Sequence, residues 1–175
     1  MNRALIAVGS IVALLAGCST NVRVTATPGS TDLTGWYRFE GTDKVKPDDF
    51  PNPLIDWVDV ALSSKIELDQ TNGERIVARY TDKSGESVEK VVLLGNAPAG
   101  TAFKNGELSF QKRIPIQGPR ILPGLTRHFV GTRYFKDRDG NLRVVGFFTE
   151  RGLMLFLFPF TDHYEYEFVL KADDR

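Results

Sequence analysis

Sulfur chemistry is nearly absent from this chain: among 175 residues there is one cysteine, Cys18, and two methionines. A lone cysteine excludes a disulfide scaffold, a thiol metal site and an intramolecular redox pair. Histidine is almost as scarce, with only His128 and His163. An excess of charge of one sign is missing too, because 22 basic side chains face 22 acidic ones. That balance removes a general electrostatic pull toward nucleic acid or anionic surfaces. No apolar run reaches the roughly 20 residues that a membrane-spanning helix needs. Nor does any segment have the spacing of a nucleophile elbow, a phosphate loop or a zinc-protease helix. Internal repeats and low-complexity tracts are lacking. These absences direct the reading away from catalysis, and no cofactor or metal is expected.

What is present begins at the N-terminus. Met1-Asn2-Arg3 precedes an apolar stretch over residues 4–16, interrupted by Gly9 and Ser10. A basic start, a short apolar segment and small residues at its end have the layout of a secretory signal. Leu15-Ala16-Gly17-Cys18 resembles the lipobox of bacterial lipoproteins. That resemblance implies cleavage before Cys18, a diacylglyceryl thioether on its sulfur and an acylated amine. Each buried acyl methylene contributes about 0.8 kcal/mol, so several chains make a lasting membrane anchor. It also implies lipid attachment at the outer membrane facing the periplasm, since Ser19 rather than aspartate follows the cysteine. The expected division is a signal peptide over 1–17, lipidated Cys18 with a flexible tether over 18–32, and one domain over 33–175. Without Arg3 the remaining chain carries 21 basic (22 less one) against 22 acidic groups.

Beyond the tether the pattern is one of strands and turns. Alternating or β-rich runs occupy 33–40, 64–69, 75–81, 87–94, 107–116, 127–136, 142–150, 153–158 and 164–170. Thr71-Asn72-Gly73, Asp82-Lys83-Ser84-Gly85 and Asp137-Arg138-Asp139-Gly140 supply turns. Short turns imply antiparallel neighbours. The predicted fold class is therefore all-β: an antiparallel up-and-down barrel of about eight to nine strands, because closure removes exposed edges. Asn52-Pro53 suits the start of one short helix over 54–62, with Leu54, Trp57, Val58 and Ala61 as its apolar stripe. Residues 117–125, with Pro119 and Pro123, read as a second irregular segment at the barrel rim.

Leu33-Thr34-Gly35-Trp36-Tyr37, at the first strand, resembles the opening motif of lipocalins, in which Gly-x-Trp begins the first strand and the Trp closes the base of an eight-stranded cup. Here Gly35 and Trp36 are adjacent, a departure of one residue. Thr161-Asp162-His163-Tyr164 resembles that family's Thr-Asp-Tyr motif with one residue inserted. The resemblance implies a calycin-like barrel able to hold a small apolar or amphipathic ligand. Trp36 is expected in the core.

Several residues invite a chemical reading. His163, Glu165 and Glu167 would share one strand face, opposite Tyr164, Tyr166 and Phe168. They form either a metal or acid–base group, or a solvated outer face backing an aromatic core, and the second reading is favoured. Arg127 and His128, with Lys112, Arg113, Arg120 and Arg133, form either a basic rim for an anionic head group or scattered surface cations. Asp137-Arg138-Asp139-Gly140 lacks the later ligands of a calcium loop, so a hairpin turn explains it better. In 153–158 both faces are apolar, with Met154, Phe156 and Phe158 expected to point inward and Leu153, Leu155 and Leu157 either to lie under the helix or another segment or to stand exposed for a lipid or protein partner, the covered reading being favoured. The expected ligand-lining set is Trp57, Arg127, His128, Tyr134, Phe156 and Phe158. Two functions fit: a lipid-anchored, lipocalin-like binding module, or a non-enzymatic accessory of an envelope protein complex. Partners are accordingly the membrane and a lipophilic ligand or envelope protein, with no nucleic acid.

Overall fold

The computed structural model describes residues 24, 26–39, 54, 55, 60, 64–71, 73–114, 126–154 and 158–173. Nine strands run in chain order: β1 Gly35–Arg38, β2 Lys65–Thr71, β3 Arg75–Thr81, β4 Ser87–Leu93, β5 Thr101–Lys104, β6 Glu107–Ile114, β7 Thr126–Lys136, β8 Leu142–Met154 and β9 Phe158–Ala172. They form one antiparallel sheet in the order β4-β3-β2-β1-β9-β8-β7-β6-β5. Consecutive strands are therefore neighbours throughout, except that β1 pairs with β9 and no pairing joins β4 to β5 among the described residues. This is the connectivity of an up-and-down meander, but the expected barrel closure is not made. The sheet stays open at β4 and β5. Seven residues separate the two strands, β5 is only four residues long, and Lys90 stands on the inward row of β4 opposite Ala78. A short edge and an inward-facing charge both discourage further pairing.

The sheet nevertheless curls around one core. Tyr37, Ile66, Leu68, Ile76, Ala78, Tyr80 and Val92 from one half join Leu108, Phe110, Tyr134, Leu142, Val144, Phe168 and Leu170 from the other in a single apolar cluster. Strand alternation accounts for this membership. Ile66 and Leu68 face Tyr37 and Ala78, while Tyr134 faces Leu108 and Val144. Each fully buried Leu or Ile contributes roughly 1.5–3 kcal/mol.

Four expectations need correction. First, no helix occurs among the described residues. Leu54 and Ile55 are adjacent, both fully buried in the core and not helical, and Val60 makes an antiparallel bridge to Asp82. Trp57, Val58 and Ala61, the rest of that stripe, lie outside the described residues. Second, Trp36 is only half-buried, whereas its neighbour Tyr37 fills the core. Alternation permits one inward ring, and Tyr37 also gives its hydroxyl a partner by donating to the Leu33 carbonyl at 2.8 Å. Burial, then the carboxylates of Asp32 and Asp137, push that phenol well above its ordinary value.

Third, 153–158 is not one strand. Leu153 and Met154 end β8 and Phe158 begins β9, so the run straddles a hairpin whose arms pair from Leu142↔Leu170 to Met154↔Phe158. Neither Gly152 nor Thr161-Asp162 interrupts the ladder. Leu155 and Phe156 lie outside the described residues. Fourth, β5 was missed, although Asn105-Gly106 signals its turn. Both residues have positive φ, 54° and 80°, as a two-residue hairpin turn of this hand requires.

The strands give the sheet two distinct ends. The β2–β3, β5–β6 and β7–β8 turns lie at what is here the near end. The connections over 39–64, 115–125 and 155–157 all leave from the far end. At the near end Asp137 shapes the β7–β8 turn: its carboxylate accepts from the backbone N–H of Asp139 (3.0 Å) and Asn141 (2.9 Å) and from Arg143 Nε (2.8 Å). Burial opposes ionisation there but is outweighed by these donors, so the carboxyl sits below its usual range. The hairpin reading of this stretch stands.

Candidate functional site

Strands β7, β8 and β9 run past the near-end core toward the far end, and their two faces carry different chemistry. On the concave face the cross-strand rows can be followed outward by register. Phe168–Val144–Tyr134–Leu108 belongs to the core. Next comes Tyr166–Gly146–Thr132–Phe110, then Tyr164–Phe148–Val130–Lys112, then Asp162–Glu150–His128–Ile114. Burial fades along this series. Tyr166 is 53% exposed and Tyr164 37%. Phe148 is half-buried, with His128 edge-on at 5.6 Å between ring centroids. His128 Nε2 lies 3.1 Å from Glu150 Oε1. Thr132 is 3% exposed, and its hydroxyl finds no hydrogen-bond partner among the described residues. The result is a tray with an aromatic floor, one buried hydroxyl and a polar outer row.

The convex face has the opposite character. Arg133 Nη2 donates to Glu165 Oε1 at 2.8 Å, and Arg133 Nη1 to Glu107 Oε2 at 3.2 Å. His163 Nε2 is 2.9 Å from the same Glu165 oxygen, and His163 Nδ1 is 2.7 Å from Thr149 Oγ1. The backbone N–H of Val24 donates to Glu165 Oε2. Glu165 is only 6% exposed in its side chain. Burial is the largest single influence on its carboxyl and acts to raise it. The His163 and Val24 hydrogen bonds and the charges of Arg133 and His163 outweigh burial and hold it below the ordinary range.

Hydroxyl, imidazole and carboxylate thus stand in line at Thr149, His163 and Glu165, an order that nucleophilic catalysis uses. Thr149 is, however, only 6% exposed. Its hydroxyl is not presented to a substrate, and Glu165 is committed to Arg133 and to Val24. The row acts as a clamp across β7, β8 and β9.

The clamp also seats part of the segment read as tether. Gly29 N–H donates to the Lys136 carbonyl at 2.8 Å, and a Cβ at Gly106 would come within 2.0 Å of the Ser30 carbonyl oxygen. From the near end, then, residues 26–30 and Val24 form a strap along the convex side up to Glu165. Phe135 and Val145 on this face are fully buried, yet stand outside the central cluster.

The expected ligand-lining residues are not brought together. Tyr134 is a core residue, edge-to-face with Phe110 at 5.9 Å. His128 shares its face but stands three rows away. Arg127 and Arg113, on alternate positions, are exposed on the other face, where the paired Arg133 is half-buried, so no basic rim assembles among the described residues. Phe158 pairs with Met154 at the hairpin end. Trp57, Phe156 and Arg120 lie outside the described residues, as does Cys18. His163, Glu165 and Glu167 do share a face, but Glu165 is covered while the tyrosines opposite are wet. Alternation in sequence reports which residues share a face and is silent about which face is covered. Among the described residues no cluster of three or more His, Cys, Asp or Glu is arranged to hold a metal ion. In comparisons with known proteins, no family model, no curated protein and no solved structure matches the chain.

Proposed function

We propose that this chain is a lipid-anchored envelope protein whose curled sheet seats a small amphipathic ligand on the concave tray of β7–β9. The observation that carries the reading is the exposure of Tyr164 and Tyr166 on the face that forms the core one row further on. Part-exposed aromatic surface beside a filled core is the kind of apolar area against which an amphipathic ligand packs. Asp162, Glu150 and His128 would meet the ligand's polar end, and the Thr132 hydroxyl offers a hydrogen bond at the floor. The anchor is Cys18 in Leu15-Ala16-Gly17-Cys18, with the outer membrane as its site. The lipocalin-like reading gains from Tyr37, which stands at Gly-x-aromatic spacing from Gly35 and is the ring that enters the core.

A second reading, an accessory of an envelope complex, rests on the open edge. Val91 and Leu93 are exposed on β4, whose outer side has no paired strand among the described residues. A partner strand could extend the sheet there.

Mild-detergent extraction from cells fed labelled palmitate tests the first reading. The chain should carry label that Cys18→Ala abolishes, and mass spectrometry should find a co-purifying amphiphile. A lipidated chain that carries no small molecule would shift the assignment to the accessory reading. An unlabelled wild-type chain would remove the anchor.

A further inference from the structure

We infer that the far corner of the convex face, where β6, β7 and β8 carry Arg113, Arg127 and Arg151, is a binding site for a phosphate monoester. The three arginines do not ring the tray; they stand on its back, and the site depends neither on the tray nor on acylation of Cys18. Arg127 and Arg151 are directly opposed in the β7–β8 ladder. Arg113 is opposed to Phe129, which makes it the diagonal neighbour of Arg127 on the β6 side. Opposed residues of an antiparallel pair hold their Cβ atoms about 4.5–5.5 Å apart and diagonal ones about 7–8 Å, so three long side chains rise from one small patch. All three residues are exposed. Among the described residues no carboxylate pairs with any of them.

Elsewhere the sheet pairs its arginines. Arg38, Arg79, Arg133 and Arg143 each meet a carboxylate within 3.4 Å. Arg133 shows the pattern, with Glu107 diagonal to it on β6 and Glu165 on β9. Six residues back along β7, Arg127 has Arg113 in the position that Glu107 holds and Pro159 in the position that Glu165 holds. Glu150 and Asp162, next in sequence to Arg151 and Thr161, alternate to the concave face. On β9 the nearest convex carboxylate is Glu165, two rows away and already committed to Arg133 and Val24. Like charges directly opposed destabilise a sheet, so the corner carries a repulsion that a bound anion removes. Thr161, exposed and opposed to Arg151, adds a hydroxyl donor. Guanidinium forks match oxygen pairs on carboxylate or phosphate. A carboxylate has only two oxygens to offer. A phosphate monoester presents three terminal oxygens and nearly two negative charges at neutral pH, which suits three arginines and a hydroxyl.

The test titrates the full chain, purified from cells in dodecyl maltoside, by calorimetry at physiological salt. The probes are glycerol phosphate and dihexanoyl phosphatidic acid, both monoesters, with dihexanoyl phosphatidylcholine measuring partition into micelles. Glycerol phosphate binding as tightly as phosphatidic acid marks a soluble ligand, and phosphatidic acid binding at least about tenfold tighter marks a lipid one; either result supports the site. Arg127→Gln and Arg151→Gln should each weaken the tighter monoester at least about tenfold, and Arg127→Lys, which keeps the charge without the fork, should fall between them and the parent. Arg75→Gln, at an exposed near-end arginine, should stay within about twofold of the parent. Because the corner arginines repel one another, the urea midpoint without phosphate should not fall in either variant, which separates loss of the site from loss of the fold. Arg113→Gln, on a third strand, repeats the test where another variant does not fold. Absence of saturable heat from both monoesters up to millimolar concentration, or a loss in Arg75→Gln as large as in Arg151→Gln, would overturn the site.

Discussion

On the concave face at the near end of β7, β8 and β9, Tyr134, Leu142, Val144, Phe168 and Leu170 lie within the core. Two and four residues back along β9 from Phe168, the same face turns Tyr166 and Tyr164 to solvent. The alternation is unbroken between the two regions, and so is the hydrogen-bonded ladder. What changes is the opposing wall. Near the C-terminus β9 pairs with β1 at Tyr37↔Ala172 and Arg38↔Lys171, and β2 and β3 follow beyond. Further along, β9 has described partners only on its β8 side. A strand's pattern sets its faces, but burial is conferred by whatever lies across from it.

The largest expected effect separates these two regions. Tyr134→Ala should cost about 3–5 kcal/mol, as removal of a buried ring does. Tyr166→Ala should cost less than about 1 kcal/mol, in the range of surface changes. Urea unfolding of both variants checks this. Binding should respond in the opposite sense. Tyr164→Ala combined with Tyr166→Ala should weaken uptake of a fluorescent naphthylamine probe at least tenfold, while the midpoint of unfolding moves little. Equal losses of stability at Tyr134 and Tyr166 would show that the tray is ordinary core.

Much of the β architecture was legible because its signals are local. Ile66 with Leu68, Ile76 with Tyr80 and Leu108 with Phe110 alternate as half-buried strands do, and Asn72-Gly73 and Asp137–Gly140 mark hairpins. The misreadings share a cause. Trp36 and Tyr37 are neighbouring rings, and only the sense of the sheet's curl decides which points inward. Apolar residues over 153–158 look like one buried strand because hydrophobicity does not record where a hairpin reverses. Leu54 looked helical by spacing, yet Ile55 beside it is equally buried, which suits an irregular segment pressed on the core. Of the candidate site, His128 was legible as a residue and its pairing with Glu150 was not, since that contact crosses from β7 to β8. The strap was least legible of all. Val24 and Gly29 sit in a Thr-, Ser- and Gly-rich stretch; Val24 docks on a carboxylate 141 residues away, and Gly29 on the Lys136 backbone carbonyl.

A mid-sized effect is expected at the clamp. Glu165→Ala leaves Arg133 with one fewer carboxylate and the Val24 N–H unpaired, and should cost about 1–3 kcal/mol. The clamp should also make stability depend on acid. A carboxyl depressed by folding stabilises fully while ionised in both states, that is, above its ordinary value of 4.5. Its contribution is lost as pH falls from there through the lower folded value. Asp137, depressed in the same direction, adds to the loss. Urea midpoints between pH 6 and pH 3 should therefore fall, and fall less steeply in Glu165→Gln. Parallel curves would show that Glu165 is not coupled to folding, and the strap would then be held by other contacts.

The smallest expected effect on stability concerns the open edge, where the contrast between a covered and an uncovered face recurs. Lys90 stands on the inward row of β4, between Val88 and Val92, and is exposed. Its cross-strand neighbour Ala78 is core, so an apolar residue at position 90 would pack with little strain. Lys90→Val should shift the unfolding free energy by no more than about 0.5 kcal/mol. It should, however, remove the one charge on that row of an edge strand whose outer side already carries Val91 and Leu93. Unpaired N–H and C=O groups flanked by apolar side chains are a template for a second chain. Sedimentation at rising concentration should then show self-association in Lys90→Val that the parent chain lacks, and Lys90→Arg, which keeps the charge, should remain like the parent. If Lys90→Val stays monomeric over that range, the brevity of β4 and β5 is what guards the edge, and Lys90 is incidental to the sheet's remaining open.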